Sequence, residues 1–170
     1  GPGLLRVLDP PAAPTEVGSE HTAGSSGRRT SLATWLTRRD SPAAGLLARV
    51  LVNRDWQHLF GRGIVQTSDN FGIMGASPDH PDLLEGMAVE LMETGWRHKA
   101  LLKTIVTSSA YRQRTRTVAV DRAGEGPPQP VTTDPQVVDP ANRLFWRMPL
   151  RQLESEVIRD SILAISGQLD

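Results

Sequence analysis

Histidines and carboxylates are the residues of this chain whose chemistry could serve acid–base catalysis or metal binding. The run Asn53-Arg54-Asp55-Trp56-Gln57-His58 places Arg54 and His58 four residues apart, so on a helix both project from one side. His58 could transfer protons or bind a metal, or it could donate a hydrogen bond to the carbonyls of a loop. No second ligand stands at a spacing that completes a metal site, so we favour the structural role and predict no metal. Asn53 and Arg54 are candidate binding residues.

A second constellation surrounds His80, which lies between Asp79 and Pro81 at the expected start of a helix. His80 could stand at the mouth of a pocket beside free helix amides. It could also pack against apolar side chains while the neighbouring aspartates cap the helix, and this interpretation is preferred. Asp69, in the preceding glycine-rich stretch, is a further candidate catalytic group.

The third constellation is a dense series of acids and arginines between residues 139 and 160. Glu156 and Asp160 stand one helical turn apart, so they could share a metal or act as general acid and base. The interleaved arginines favour ion pairs instead, because a guanidinium binds a carboxylate through two parallel hydrogen bonds. We expect such a pair to join residues 139–147 to the last helix or to residues 53–58. The candidate binding arginines of this series are Arg143, Arg147, Arg151 and Arg159.

Composition excludes several classes of function. The chain has no cysteine, so disulfides, thiolate metal sites, iron–sulfur clusters and covalently attached haem are excluded within it, and we expect no cofactor in this chain. Lysines plus arginines balance aspartates plus glutamates at 19 each, so nucleic acid is not an expected partner. No apolar run approaches the roughly 20 residues that span a bilayer, so we expect no membrane insertion. The dinucleotide-binding and phosphate-loop fingerprints are absent.

Hydrophobic periodicity predicts a mainly α fold: a helical bundle-like domain with an ordered glycine-rich loop and flexible segments. Trp56, Phe60 and Trp146 are the expected core anchors. The loop, residues 61–75, contains four glycines and could include a short extended pair. Five helices are predicted, at 31–39, 42–60, from 79–82 to 94, 98–112 and 151–166.

Two segments have a composition that cannot bury a core. Residues 1–30 are predicted to be a flexible N-terminal segment, and residues 117–138 a flexible excursion from a helical domain at 31–170. The chain is expected to be a fragment of a longer protein, because both ends resemble cuts within a polypeptide.

The order of motifs from residue 31 to residue 170 resembles a known family. Asn-Arg-x-Trp-Gln-His-x-Phe-Gly-Arg-Gly at 53–63 is followed by Asn-Phe-Gly at 70–72 and His-Pro-x-Leu-Leu at 80–84. Asp-Pro-x-Asn-Arg-Leu-x-Trp-Arg at 139–147 and Arg-x-Leu-Glu-x-Glu-x-Ile-Arg-Asp at 151–160 complete the series. Together they resemble the planctomycete-type, cytochrome c-associated domain of unknown function, in a partial copy whose C-terminal part is missing.

The resemblance implies a location and partners but supplies no established activity. It implies an extracytoplasmic, periplasmic protein with several domains, one of them a cytochrome c-like domain that carries haem c. The partners are then the other domains of the same polypeptide. We therefore expect a non-catalytic binding or scaffolding module of a redox-linked bacterial protein. The alternative is a hydrolytic enzyme acting on glycans, with His58, His80, Asp69, Glu156 and Asp160 as candidate groups.

Overall fold

The computed structural model describes residue 8 and residues 27–115 and 135–168, and this part of the chain is α-helical without a strand. The mainly α fold is thus confirmed, whereas the described loop at 61–75 lacks the extended pair considered above. Its helices are α1 (Arg28–Thr37), α2 (Pro42–Phe60), α3 (Pro81–Glu93), α4 (His98–Thr107), α5 (Pro135–Val138) and α6 (Ser155–Ser166). The chain forms two compact units, residues 1–112 with α1–α4 and residues 113–170 with α5 and α6.

Local capping chemistry sets the limits of α2, the longest of these helices. Ser41 is the N-cap, and its hydroxyl accepts a hydrogen bond from the amide of Ala43 at 3.2 Å. Pro42 occupies the first turn, where its fixed φ suits a helix and its missing N–H costs nothing. Gly61 ends the helix with a left-handed φ of 80° and donates its amide to the carbonyl of Gln57. Both limits agree with those predicted.

The other helix limits shift by up to five residues from their predicted positions. α1 begins at Arg28 because Ser31 does not cap it; the hydroxyl of Ser31 instead donates to the carbonyl of Gly27 within the first turn. α4 ends at Thr107 because Ser108 adopts an extended backbone and its hydroxyl accepts the amide of Tyr111. α6 begins at Ser155, four residues late.

The segments expected to be flexible are described only in part. Residues 28–30 form the first turn of α1, and α5 is a single helical turn within 117–138. Residues 1–7, 9–26 and 117–134 lie outside the described residues, so their flexibility stays a prediction.

The core of the first unit is built on α2, which packs against α1 and α3, while α3 packs against α4. Its buried stripe repeats every four residues, as one side of a helix requires. The leucines and valines at 46, 47, 50, 51 and 59 are half-buried, because small alanines occupy the side where the neighbouring helices approach. The members of the stripe are Ala44, Ala48, Val52, Trp56 and Phe60.

The aromatic residues confirm two of the three expected core anchors. Trp56 is 5% exposed and stacks on Phe60, with ring centroids 4.2 Å apart. The rings of Phe60 and Tyr111 are nearly perpendicular, with centroids 5.7 Å apart. The prediction for Trp146 is wrong: its side chain is half-buried, and Phe145 is the buried ring of that segment.

The second unit ends in α6, an amphipathic helix of 12 residues. The apolar residues that predict this helix include Val157, Ile162 and Ile165, and all three are exposed. Gly167 ends the helix with a φ of 71°, as predicted. Among the described helices, none combines the length and apolar character that crossing a membrane requires.

Candidate functional site

The first unit contains a cluster of polar groups around Asn53. This residue lies on the buried side of α2, and its side chain is fully buried. Its Oδ1 accepts the amide of Val65 at 2.8 Å, and its Nδ2 donates to the carbonyl of the same residue at 3.1 Å. The side-chain amide thus pairs with Val65 as a neighbouring strand would. Gly63 is required for this approach, because a Cβ at that position would lie 2.7 Å from Nδ2 of Asn53.

A second set of bonds holds the end of the loop that leads into α3. The guanidinium of Arg62 pairs with the carboxylate of Asp79, whose side chain is only 4% exposed. The amide of Asp79 donates to the carbonyl of Ile64 at 2.9 Å. Residues 62 and 79 are therefore held together, and the intervening chain forms a closed loop, which we call the glycine loop (residues 61–80).

The tip of the glycine loop is ordered by its own hydrogen bonds. The side chain of Asn70 accepts the amide of Gly72 at 3.0 Å, and Gly75 donates to the carbonyl of Gly72 at 2.8 Å. The hydroxyl of Thr67 bridges the turn by donating to the carbonyl of Asn70 and accepting the amide of Ala76, both at 2.9 Å. A Cβ at Gly75 would overlap the backbone carbonyl of Asn70, so only glycine allows this turn.

This fixed turn holds two large apolar side chains in solvent. Ile73 and Met74 are 103% and 88% exposed. Exposed apolar residues on an ordered protrusion are typical of surfaces that bind another molecule.

The candidate catalytic residues of the first unit lie at separate places along α2 and the glycine loop. His58 and Arg54 are exposed on α2, Asp69 is exposed in the loop, and His80 is the half-buried N-cap of α3. His80 does not cap α3 through its side chain. No group of three or more histidines or carboxylates among the described residues could hold a metal ion.

A histidine that the sequence did not single out has a carboxylate partner instead. Nδ1 of His98, at the start of α4, lies 2.9 Å from Oδ2 of Asp55 on α2. The side chain of Asp55 is 19% exposed and that of His98 is 43% exposed. The two residues are 43 positions apart, so no local spacing could have indicated the contact. The contact between His98 and Asp55 connects the start of α4 to α2.

Further ion pairs of the first unit join elements on its surface. Arg49 on α2 pairs with Glu85 on α3 at 2.6 Å, and Arg39 pairs with Glu93 at 2.7 Å. Each pair is exposed and contributes little on its own, on the order of 0–1 kcal/mol.

The second unit contains a compact polar turn at residues 139–147, which we call the Asp139 turn. The carboxylate of Asp139 accepts the backbone amides of Arg143 at 2.9 Å and Leu144 at 2.7 Å. The side-chain amide of Asn142 donates to the carbonyl of Arg147 and accepts its amide, at 2.8 and 3.2 Å. Asp139 is buried, and both of its carboxylate oxygens accept backbone amides of its own turn.

The remaining candidates of the second unit are exposed on or before α6. Arg159 pairs with the adjacent Asp160 at 3.2 Å, and Arg151 approaches Glu154 at 4.0 Å. Glu156 accepts the hydroxyl of Ser155 at 3.0 Å. Hydrogen bonds from its own backbone amide and from the hydroxyl of Ser155 lower the pKa of Glu156 below its usual 4.5.

The comparisons with known proteins give this chain a family. The model of the family described as PSD1, protein of unknown function (DUF1553), matches residues 28–170. The chain belongs to this family. The match begins at the first residue of α1 and includes both the glycine loop and the Asp139 turn. No curated protein and no solved structure is significantly similar to the chain.

Proposed function

We propose that this PSD1-family chain is a non-catalytic binding or scaffolding module of an extracytoplasmic, multidomain bacterial protein. Its partners are other domains of the same polypeptide, among them a cytochrome c-like domain that carries haem c. The likeness of its motifs to the planctomycete-type, cytochrome c-associated domain supports the location and these partners.

The observation that carries the proposal is the clamped glycine loop. Asn53 and Asp79 hold its two ends, and neither side chain is accessible to a substrate. The polar residues at this site therefore support a fixed loop whose tip exposes Ile73 and Met74. A preformed apolar protrusion binds with a small loss of conformational entropy, which suits a recognition surface.

The carboxylates of α6 also favour a module over a glycan hydrolase. A hydrolase of the common kind needs two carboxyl groups on either side of a glycosidic bond, one of them with a raised pKa. Glu156 and Asp160 are exposed neighbours on one helix, and the pKa of Glu156 is lowered rather than raised. Such groups suit solvent and ion pairing better than acid catalysis.

The proposal is tested by titrating the chain with the separately produced cytochrome c-like domain of the same polypeptide in a calorimeter. We expect saturable binding that weakens at least about tenfold in the double variant Ile73→Ser, Met74→Ser, since two buried apolar side chains contribute well over 1.4 kcal/mol. Leu32→Ser, at an exposed apolar position of α1, is the matched control and should bind like the parent.

Two results would overturn the proposal. The first is an absence of binding by the parent chain. The second is release of reducing sugars from polysaccharides by the parent chain that disappears in Glu156→Gln or Asp160→Asn while the thermal melt stays unchanged, which would establish the hydrolase instead.

A further inference from the structure

The Asp139 turn holds its backbone in an unfavourable conformation. Asn142 and Phe145 have φ values of 54° and 52°, in the left-handed region. Asparagine tolerates this region, whereas a phenylalanine in it is strained, and the surrounding bonds must offset that strain. The hydrogen bonds of Asp139 and Asn142 supply that support. Backbone strain of this kind, held in place by a network, is found where a protein positions functional side chains.

The side chains that the turn positions are Trp146 and Arg147. The indole N–H of Trp146 donates to the carbonyl of Asp139 at 2.8 Å, which fixes the ring. The guanidinium carbon of Arg147 lies 4.9 Å from the centroid of that ring. Both backbone polar groups of Arg147 are bonded to the side chain of Asn142, so the start of its side chain is fixed as well.

This guanidinium has no carboxylate partner among the described residues, although it is half-buried. Asp139, the acid of the same turn, directs both carboxylate oxygens to backbone amides. Glu154 and Asp160 lie near other arginines, Arg151 and Arg159. A guanidinium placed over an indole ring is attracted by the ring's quadrupole, and this attraction leaves its N–H donors available for other hydrogen bonds.

Other arginines near Arg147 add more positive charge. The amide of Met148 donates to the carbonyl of Arg114 at 3.2 Å, so Arg114 lies beside the residue that follows Arg147. Arg114 and Arg143 have exposed side chains. A partly desolvated cation with cationic neighbours attracts an anion.

We propose that Arg147, supported by Trp146, is a binding site for an oxyanion with two coplanar oxygens, a carboxylate or a phosphate group. The guanidinium edge donates two parallel N–H···O bonds to the ligand, which matches the geometry of either group. The inference deepens the proposed binding function, on which it rests, by naming the chemistry that this second surface recognises.

The test is a titration followed by nuclear magnetic resonance of the full 170-residue chain at constant ionic strength and pH 7. The signals observed are the Nε–H of Arg147 and the indole N–H of Trp146. Sodium acetate and inorganic phosphate are the two probes, and sodium chloride is the spherical-anion control. We expect saturable shifts with acetate or phosphate, with a dissociation constant on the order of 1 mM for a single fork. Saturation by acetate alone assigns a carboxylate ligand, and saturation by phosphate alone assigns a phosphate ligand.

Two variants show whether the fork is responsible. Arg147→Lys keeps the charge but loses the two coplanar donors, so the affinity should fall at least about tenfold while the indole signal of Trp146 shows the turn intact. Arg159→Gln, at an exposed arginine of α6 paired with Asp160, should bind the probes like the parent.

The proposal is overturned if the shifts grow linearly without saturation, if chloride produces them equally, or if Arg147→Lys leaves the affinity unchanged. Each of these results means an adventitious ion only. Binding of the cytochrome c-like domain through Ile73 and Met74 is measured separately, so failure here leaves that experiment standing.

Discussion

Replacing Asn53 with alanine removes the side chain that pairs with both backbone polar groups of Val65. Val65 is 3% exposed, so its N–H and C=O would remain buried without a partner. Each unsatisfied buried group costs about 1–3 kcal/mol, and together they give a loss of about 2–6 kcal/mol in the free energy of unfolding. A domain of this size is stable by about 5–15 kcal/mol, so the loss is a large fraction of the total.

The measurement is urea unfolding of the parent chain and Asn53→Ala, followed by circular dichroism. We expect a lower midpoint with the same slope, because the surface exposed on unfolding does not change. Native-state hydrogen exchange locates the effect: the amide of Val65 should exchange at least about 30-fold faster, which corresponds to 2 kcal/mol.

Gln57→Ala is the matched control, on the same helix and one turn away. The side chain of Gln57 is exposed and, among the described residues, accepts a hydrogen bond only from the hydroxyl of Ser68, so its removal should cost less than about 1 kcal/mol. The reasoning is refuted if the free energy of unfolding of Asn53→Ala lies within about 0.5 kcal/mol of the parent's, which is the effect of an ordinary surface substitution. It is also refuted if the two variants lose equal stability.

Three further outcomes are expected. Trp56→Ala should lower the free energy of unfolding by about 3–5 kcal/mol, because a buried ring is removed; an unchanged thermal melt would place the residue on the surface. Gly75→Ala should destabilise the chain because of the overlap at the loop tip, whereas Gly45→Ala, which meets nothing within 4 Å on α2, should stabilise it by about 0.5–1 kcal/mol; thermal melts of both variants check the difference in sign. Ser155→Ala should raise the pKa of Glu156 toward 4.5 in a carboxyl titration by nuclear magnetic resonance, since one of the two bonds that lower it is lost. Because the folded-state pKa is the lower one, the stability from Glu156 is present above pH 4.5 and lost as the pH falls, and an unchanged titration would contradict the assignment.

Candidate residues in the sequence acquired different roles in the structure. Asn53 was a candidate for binding a ligand, but its amide binds the protein's own loop. Sequence reasoning could identify the polar run at 53–58 from its composition. It could not assign Asn53 to Val65, because that contact depends on where the loop returns to α2. The contact between His98 and Asp55 depends in the same way on how α4 packs.

The sequence by itself determined the features that depend on neighbouring residues. Pro42 and Gly61 set the limits of α2, and Gly167 the end of α6, because capping involves groups within one helical turn. The glycines at 61–75 indicated an ordered loop for a similarly local reason. Glycine has no side chain, so it fits where the backbone turns or lies close to other atoms of the protein.

Only the tertiary structure decided which residues are buried and which charges are paired. α2 has apolar residues around much of its circumference, and the approach of α1 and α3 selected the alanine side over the leucine side. In the Asp139 turn, which contains two left-handed residues, Phe145 is the buried ring, and Trp146, the expected core anchor, supports Arg147 instead. A pattern of residue types does not contain these choices, because they depend on distances between segments that lie far apart in the chain or on backbone angles that a side-chain network imposes.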